Sequence, residues 1–135
     1  MNLNFFITNS LLNKLNEANN TPLTLDITKN MEKAPYLGSR FGQDVEPKGT
    51  YVTNHTVNAP NYKNGKAYLA KPLFINVNSD TLIEYKRDLA KKYKAKGQAL
   101  TNKLMAEGYD ALITVYDNGE YGEIVLFPNA NFSLS

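Results

Sequence analysis

The chain contains no cysteine, and His55 is its only histidine among 135 residues. Without cysteine, disulfides, thiolate metal sites and a cysteine nucleophile are all excluded. A single histidine cannot build a His-rich zinc site, and it leaves one possible base for a Ser-His-Asp triad. A lone histidine between polar residues is usually exposed or hydrogen-bonded in a loop, which favours a loop role for His55 over a catalytic one.

Long apolar runs are also missing from the chain. No run approaches the ~20 residues that a membrane-spanning helix needs. The first residues, Met1 to Ile7, carry neither a basic segment nor a small-residue cleavage site. We therefore expect a cytoplasmic protein that makes no membrane contact and holds no metal. The length predicts one globular domain over residues 1–135.

Apolar periodicity predicts an α+β domain, with strands first, a loop-rich middle, and then a helix pair and a hairpin. The predicted early elements are a strand over 3–8, a helix that Ser10 caps, and strands over 23–28, 50–53 and 66–77, with an interruption near Pro72 as an alternative for the last. Residues 29–48 are rich in glycine, proline and charge. They predict a long loop, and loops of that length in small domains are often functional.

The second half of the chain carries clear start and stop signals. A capping box, Thr81 to Glu84, predicts the start of a helix, and Gly97 separates that helix from a second one that ends at Gly108. A strand over 111–116 then leads to Asp117-Asn118-Gly119, a typical hairpin turn, and to a returning strand over 122–127. We therefore predict a C-terminal β-hairpin.

Positive charge clusters on the first of these helices although the net charge of the chain is only +2. The cluster comprises Lys86, Arg87, Lys91, Lys92, Lys94 and Lys96. Such a run can bind phosphates, and it can equally be the solvated face of a helix opposite an apolar stripe.

Glu123 is the most informative single residue. It stands at the start of Ile124 to Phe127, a run that is apolar on both faces and so predicts a strand covered on both sides. A carboxylate at the end of such a strand is costly to desolvate, which is typical of a site residue whose charge is needed. The alternative is an exposed acid that lies just before the strand becomes buried.

Several segments together resemble the ADP-ribosyltransferase-like domains found in phage polyvalent proteins. They are RFGQDVEPKGTY from Arg40 to Tyr51, KPL from Lys71 to Leu73, GYDALITV from Gly108 to Val115 and GEIVLF from Gly122 to Phe127. The resemblance spans roughly residues 38–128, and the first string is its most specific part. It implies a split sheet with a helix pair, and NAD bound as a substrate in a cleft between two small sheets.

The resemblance also implies roles for individual residues. Glu123 would be the catalytic carboxylate that stabilises positive charge on the ribose as nicotinamide leaves. Tyr51 would stack on the nicotinamide ring and Tyr62 would form the opposite wall. Thr53 lies in the same element as Tyr51. Arg40 would hold the ribose or pyrophosphate, and Gln43 lies in the same loop as Arg40. All these except Glu123 are predicted NAD-binding residues.

The chain departs from the family pattern in two places. The family has a histidine or arginine on an early strand, and none occurs between residues 20 and 35. The residue two before Glu123 is Tyr121, which argues against the Glu-x-Glu pattern of arginine-modifying enzymes, and Glu120 is expected to be a surface acid of the turn.

Three functions follow as hypotheses. The first is a phage or mobile-element ADP-ribosyltransferase-like protein that transfers ADP-ribose from NAD to a host protein or nucleic acid, or hydrolyses NAD. The second is a catalytically inactive protein of the same fold that binds and inhibits a host enzyme or defence system, as the missing early histidine or arginine suggests. The third is nucleic-acid binding by the lysine-rich helix, independent of Glu123.

Overall fold

A computed structural model of the chain describes residues 22–135. The strand predicted over 3–8 and the helix predicted after Ser10 lie outside this range. Within it the chain forms seven strands and two α-helices: β1 Leu23–Asn30, β2 Thr50–Val52, β3 Tyr62–Leu69, β4 Pro72–Asn76, α1 Glu84–Tyr93, α2 Gly97–Ala106, β5 Ala111–Val115, β6 Tyr121–Leu126 and β7 Asn131–Leu134. Neither helix is long and apolar enough to cross a membrane.

The strands form two sheets. The smaller is antiparallel with the order β1-β3-β7, and the larger has the order β2-β6-β5-β4. In the larger sheet β4 and β5 are parallel and the other pairs are antiparallel. The parallel pair follows from the helix pair between them, because a chain that must return to the same end of a sheet needs a long crossover. The predicted α+β class and helix pair are confirmed.

The two sheets are joined where β1 and β2 meet. Thr28 and Thr53 exchange backbone hydrogen bonds, with N···O distances of 2.9 and 3.0 Å. These bonds hold the end of β1 next to the end of β2. The loops that follow the two strands therefore begin side by side.

The larger sheet is the middle layer of the described fold. One face packs against the smaller sheet through a core that includes Ile27, Leu69, Ile113, Ile124 and Leu126. The other face packs against the helices through a second core that includes Leu89, Leu100, Leu104, Leu112, Val125 and Phe127. Neighbouring residues of β6 therefore enter different cores, which confirms the prediction of a strand covered on both faces.

The strand predicted over 66–77 is two strands in different sheets. β3 ends at Leu69 and β4 begins at Pro72. Between them the carboxylate of Asp110 accepts hydrogen bonds from the backbone N–H of Ala70 at 2.7 Å and of Lys71 at 3.1 Å. Asp110 is only 6% exposed. It satisfies the donors that the bend removes from both ladders, which is why the chain can cross between the sheets here.

Two further predictions need correction. The capping box is wrong, because α1 begins at Glu84 without a side-chain cap and the N–H of Thr81 donates to Asn78 Oδ1 at 2.9 Å. The asparagine side chain, placed by the preceding loop, competes successfully for that donor. The hairpin of β5 and β6 is confirmed, but β7 follows it as a short strand of the other sheet that we did not predict.

We expect the substitution Asp110→Asn to lower the free energy of unfolding by about 1–3 kcal/mol, because an amide offers one acceptor oxygen where two partly buried N–H groups need one each. Urea unfolding followed by far-UV circular dichroism measures the change. Asp80→Asn, at an exposed acid, is the matched control and should shift stability by less than about 0.5 kcal/mol. Equal effects of the two substitutions would contradict the role given to Asp110.

Candidate functional site

A cleft of about 900 Å³ opens beside the junction of the two sheets. Its walls are the end of β1 with the loop over 30–35, the end of β2 with the loop that follows, and the start of β6. Four residues predicted for the site line this cleft together: Tyr51, Thr53, Tyr62 and Glu123. They come from β2, its C-terminal flank, β3 and β6, so the structure brings together side chains that lie far apart in the sequence.

Glu123 is directed into the cleft by an irregularity in the β5–β6 pairing. The register shifts between Ile113 and Val115, opposite Glu123. The hydroxyl of Thr114 fills the gap: it accepts from the backbone N–H of Glu123 at 2.7 Å and lies 3.1 Å from its carbonyl oxygen. Such bulges turn a strand locally and re-aim its side chains.

Gly122 allows this arrangement. A Cβ atom at Gly122 would lie 2.7 Å from Thr114 Oγ1 and 2.9 Å from a ring carbon of Tyr116. Any other residue would displace the hydroxyl that holds Glu123 in place. The glycine before Glu123 is therefore part of how the carboxylate is positioned.

The Glu123 carboxylate is held by two residues of α1. The hydroxyl of Tyr85 donates a hydrogen bond to Glu123 Oε1, and Lys86 Nζ lies 3.4 Å from the same oxygen. Lys86 Nζ also donates to Glu46 Oε2 at 2.7 Å. The Lys86 side chain is 8% exposed, and those of Glu46 and Glu123 are 20% and 29% exposed. One buried cation thus serves two carboxylates, and Glu123 alone of the three lines the cleft.

The two tyrosines beside these carboxylates stay protonated. Burial, together with the nearby negative charge of Glu123 and Glu46, raises the pKa of Tyr85 and of Tyr51 far above the ordinary tyrosine value. The hydroxyl of Tyr51 donates to the carbonyl oxygen of Pro47 at 2.6 Å. Its ring lines the cleft, and Lys86 Nζ lies 5.8 Å from the ring centroid.

Thr28 organises the opposite wall from its buried position in β1. Its hydroxyl donates to the carbonyl oxygen of His55. This bond holds the loop after β2 against β1, and His55 itself lines the cleft. The structure therefore places His55 at the site, in a loop and exposed, as the sequence predicted for its environment.

Arg40 and Gln43 lie in the loop before β2 and do not line the cleft. The guanidinium of Arg40 stacks on Phe41, 5.0 Å from the ring centroid. The Gln43 side chain accepts from the backbone N–H of Leu37 and of Gly38 and donates to the carbonyl oxygen of Pro35. Gln43 thus shapes the loop that forms one rim of the cleft, and a cofactor contact by either residue stays a prediction.

Five charged residues at or behind the cleft had no predicted role there: Lys29, Glu32, Lys33, Glu46 and Lys86. Lys86 was assigned to the basic cluster, yet it is buried while Lys91, Lys92, Lys94 and Lys96 are exposed. A signal for this was present in the sequence. Lys86 stands four residues after Leu82 and three before Leu89, so it shares a helix face with the apolar stripe.

A second cleft of about 540 Å³ lies between α1 and the outer strand β4. Its charged residues, Asp88, Lys92 and Glu107, are exposed. No partly buried carboxylate faces it, so it lacks the feature that marks the first cleft as the candidate site.

Comparison of the chain with protein-family models, with curated proteins and with solved structures found no match. Among residues 22–135 no three histidine, aspartate or glutamate side chains lie together as metal ligands would. The residues of the site themselves are therefore the basis for its chemistry.

Replacing Lys86 with methionine should lower the free energy of unfolding by about 3 kcal/mol, because two partly buried carboxylates lose their shared counter-ion. Urea unfolding followed by far-UV circular dichroism measures the change. Lys86→Arg should recover part of the loss, because it keeps the positive charge, and a loss of equal size in Lys86→Arg and Lys86→Met would contradict the ion-pair explanation.

The raised pKa values of Tyr51 and Tyr85 predict a loss of stability in alkali. A group whose pKa is higher in the folded state contributes fully below its unfolded pKa of about 10, and the contribution is lost as the pH rises above it. The free energy of unfolding should therefore fall between pH 9.5 and pH 11. The fall should be smaller by about 1 kcal/mol in Tyr85→Phe than in the unmodified chain. Tyr36→Phe, at a residue that is 72% exposed, should leave the difference unchanged.

Proposed function

We propose that this protein is an ADP-ribosyltransferase-like enzyme of a phage or mobile element, which transfers ADP-ribose from NAD to a host macromolecule or hydrolyses NAD. The observation that carries the proposal is the position of Glu123: a carboxylate beside a buried lysine, in a cleft at the junction of two small sheets. The sequence resemblance around Arg40 to Tyr51 and at Gly122 to Phe127 points to the same class.

The dimensions and lining of the cleft suit a dinucleotide. About 900 Å³ is within the range of clefts that take large cofactors. The tyrosine rings of Tyr51 and Tyr62 offer surfaces for a flat heterocycle. Lys29 and Lys33, from the end of β1 and the loop after it, would supply positive charge for a pyrophosphate, and the acid Glu32 lines the same cleft.

Glu123 would act on the developing charge. Cleavage of the bond between nicotinamide and ribose leaves positive, oxocarbenium-like charge on the sugar, and a fixed carboxylate stabilises that charge more than it stabilises the neutral ground state. Tyr85 and Lys86 keep Glu123 in one orientation, so that little reorganisation is needed as the charge develops. The attacking nucleophile would be a side chain of the target or a water molecule.

Two observations favour a second function, an inactive protein of the same fold that binds and inhibits a host enzyme or defence system. β1 brings Thr28 and Lys29 to the cleft, where the family pattern has a histidine or arginine. Lys86 also forms an ion pair with Glu123 and so partly neutralises the negative charge that the chemistry would use. In this case the cleft would still bind a nucleotide or a partner, without chemistry.

The substitution Glu123→Gln tests the first function. With labelled NAD and host lysate, nicotinamide release and label transfer should both fall by on the order of 10²–10³, because the amide keeps the shape and loses the charge. Glu120→Gln removes an acid three residues away that is exposed in the turn, and it should leave both rates unchanged.

The outcomes separate the two functions. Full activity in Glu123→Gln would remove this residue from the mechanism. No nicotinamide release and no label transfer by the unmodified chain would count against the enzyme. Saturable NAD binding in calorimetry that Tyr62→Ala abolishes would then support the nucleotide-binding form of the second function.

A further inference from the structure

A continuous stretch of positive charge covers the end of α1, the helix connection and α2. Between residues 89 and 106 the chain contains five lysines and no acidic residue. The five are Lys91, Lys92, Lys94, Lys96 and Lys103, and all are exposed. The acids of this helix pair, Glu84, Asp88 and Glu107, stand in the first half of α1 and after the end of α2.

The fold adds a sixth lysine to this stretch from a distant segment. Lys48 precedes β2, and the hydroxyl of Thr101 in α2 donates to its carbonyl oxygen at 2.8 Å. The stem of Lys48 runs past Gly97, where a Cβ would lie 3.9 Å from Lys48 Cε. Lys103 Nζ in turn donates to the carbonyl oxygen of Tyr93 at 2.8 Å. We call these six residues the lysine surface: Lys48, Lys91, Lys92, Lys94, Lys96 and Lys103.

No member of the lysine surface forms an ion pair within residues 22–135, although Asp88 and Glu107 line the same cleft as Lys92. Four pairs of side chains form ion pairs within residues 22–135, and they involve Lys66, Lys86 and Arg87 but no member of the lysine surface. The whole chain has a net charge of +2. Since the six lysines alone exceed that charge, the rest of the chain is net negative, and the positive potential is concentrated on one side.

The chemistry of the surface suits a phosphate backbone. The large apolar side chains that are exposed in the described part of the chain, Met31, Tyr36, Leu37 and Tyr68, lie elsewhere. A surface without apolar anchors does not favour insertion into a membrane or an apolar protein interface. Gln98 and Asn102, both exposed, add amide donors between the lysines. Lysines in this setting act as point charges toward phosphates and read no base sequence.

We infer that the lysine surface binds the phosphate backbone of nucleic acid, without sequence preference. The contact uses none of the residues that line the cleft, so it stands whether or not the cleft turns over NAD. If the cleft is the active site of the proposed enzyme, the lysine surface would bind a nucleic acid, or a protein bound to one, on the same molecule.

Fluorescence anisotropy with a labelled 20-base-pair duplex and its single strand tests the inference. We expect binding of both at 50 mM NaCl, and log Kd should rise steeply with log salt, since each neutralised phosphate contributes about 0.9 to the slope. Lys91→Gln/Lys96→Gln should raise Kd at least about fivefold and reduce the slope by up to about 2. Lys91 lies in α1, where glutamine keeps the helix propensity of lysine, and Lys96 is an exposed residue between the helices, so the fold should persist.

The matched control is Lys63→Gln/Lys66→Gln, which removes two charges from exposed positions on β3. It should leave Kd within about twofold, and Glu123→Gln should leave it unchanged. Three results would overturn the inference: no anisotropy change up to about 100 μM protein at 50 mM NaCl, an equal loss in the control variant, or tighter binding to phosphatidylserine vesicles than to the duplex. If Glu123→Gln loses NAD chemistry and still binds the duplex, the result supports both proposals and shows that they depend on different residues.

Discussion

The ion pairs of Lys86 are the interaction on which the candidate site depends. Its ammonium group connects three parts of the chain: the loop that carries Glu46, helix α1, and strand β6 with Glu123. Desolvating these charges is tolerable because each finds its partner within a few ångströms. The same contact therefore holds the loop before β2 to the helix layer and keeps a carboxylate at the wall of the cleft.

The middle sheet explains why the site lies where it does. β5 and β6 are covered on both faces by apolar cores, so a charged side chain can be placed only where the strands emerge from this cover. Glu123 occupies such a position, one residue before the buried part of β6. The separation of the two sheets beyond the Thr28–Thr53 bonds leaves room for the cleft next to it.

Charge is separated across the described fold. The cleft is lined by the Glu123 carboxylate, which pairs with a buried lysine, whereas the end of α1 and the connection to α2 present exposed lysines that form no ion pair within residues 22–135. Under the two proposals, the cleft would be the reactive site and the lysine surface would retain a nucleic-acid target, as two separate regions of the molecule. This separation makes the two proposals independent in substitution experiments, since their residues do not overlap.

Local pattern and tertiary context contributed unequally to the prediction of the fold. The helix pair, the Asp117-Asn118-Gly119 hairpin and the doubly buried strand were predicted correctly, because periodicity and turn chemistry act over a few residues. The capping box was wrong because Asn78, positioned by the fold, takes the N–H of Thr81. The interruption near Pro72 was among the predictions, but the placement of its two halves in different sheets and the strand β7 were not, because each depends on a partner far away in the sequence, Asp110 in one case and β3 in the other.

The sequence by itself determined the α+β class, the absence of cysteine chemistry and the choice of Glu123 as a candidate, and the family resemblance added Tyr51, Thr53 and Tyr62. Only the tertiary structure decided that Lys86 is buried while its neighbouring lysines are exposed, and that Lys86 pairs with Glu46 as well as with Glu123. It also decided that Arg40 and Gln43 lie away from the cleft. The physical reason is that spacing along a chain defines which face a side chain occupies, whereas its charge partners depend on which elements pack against that face.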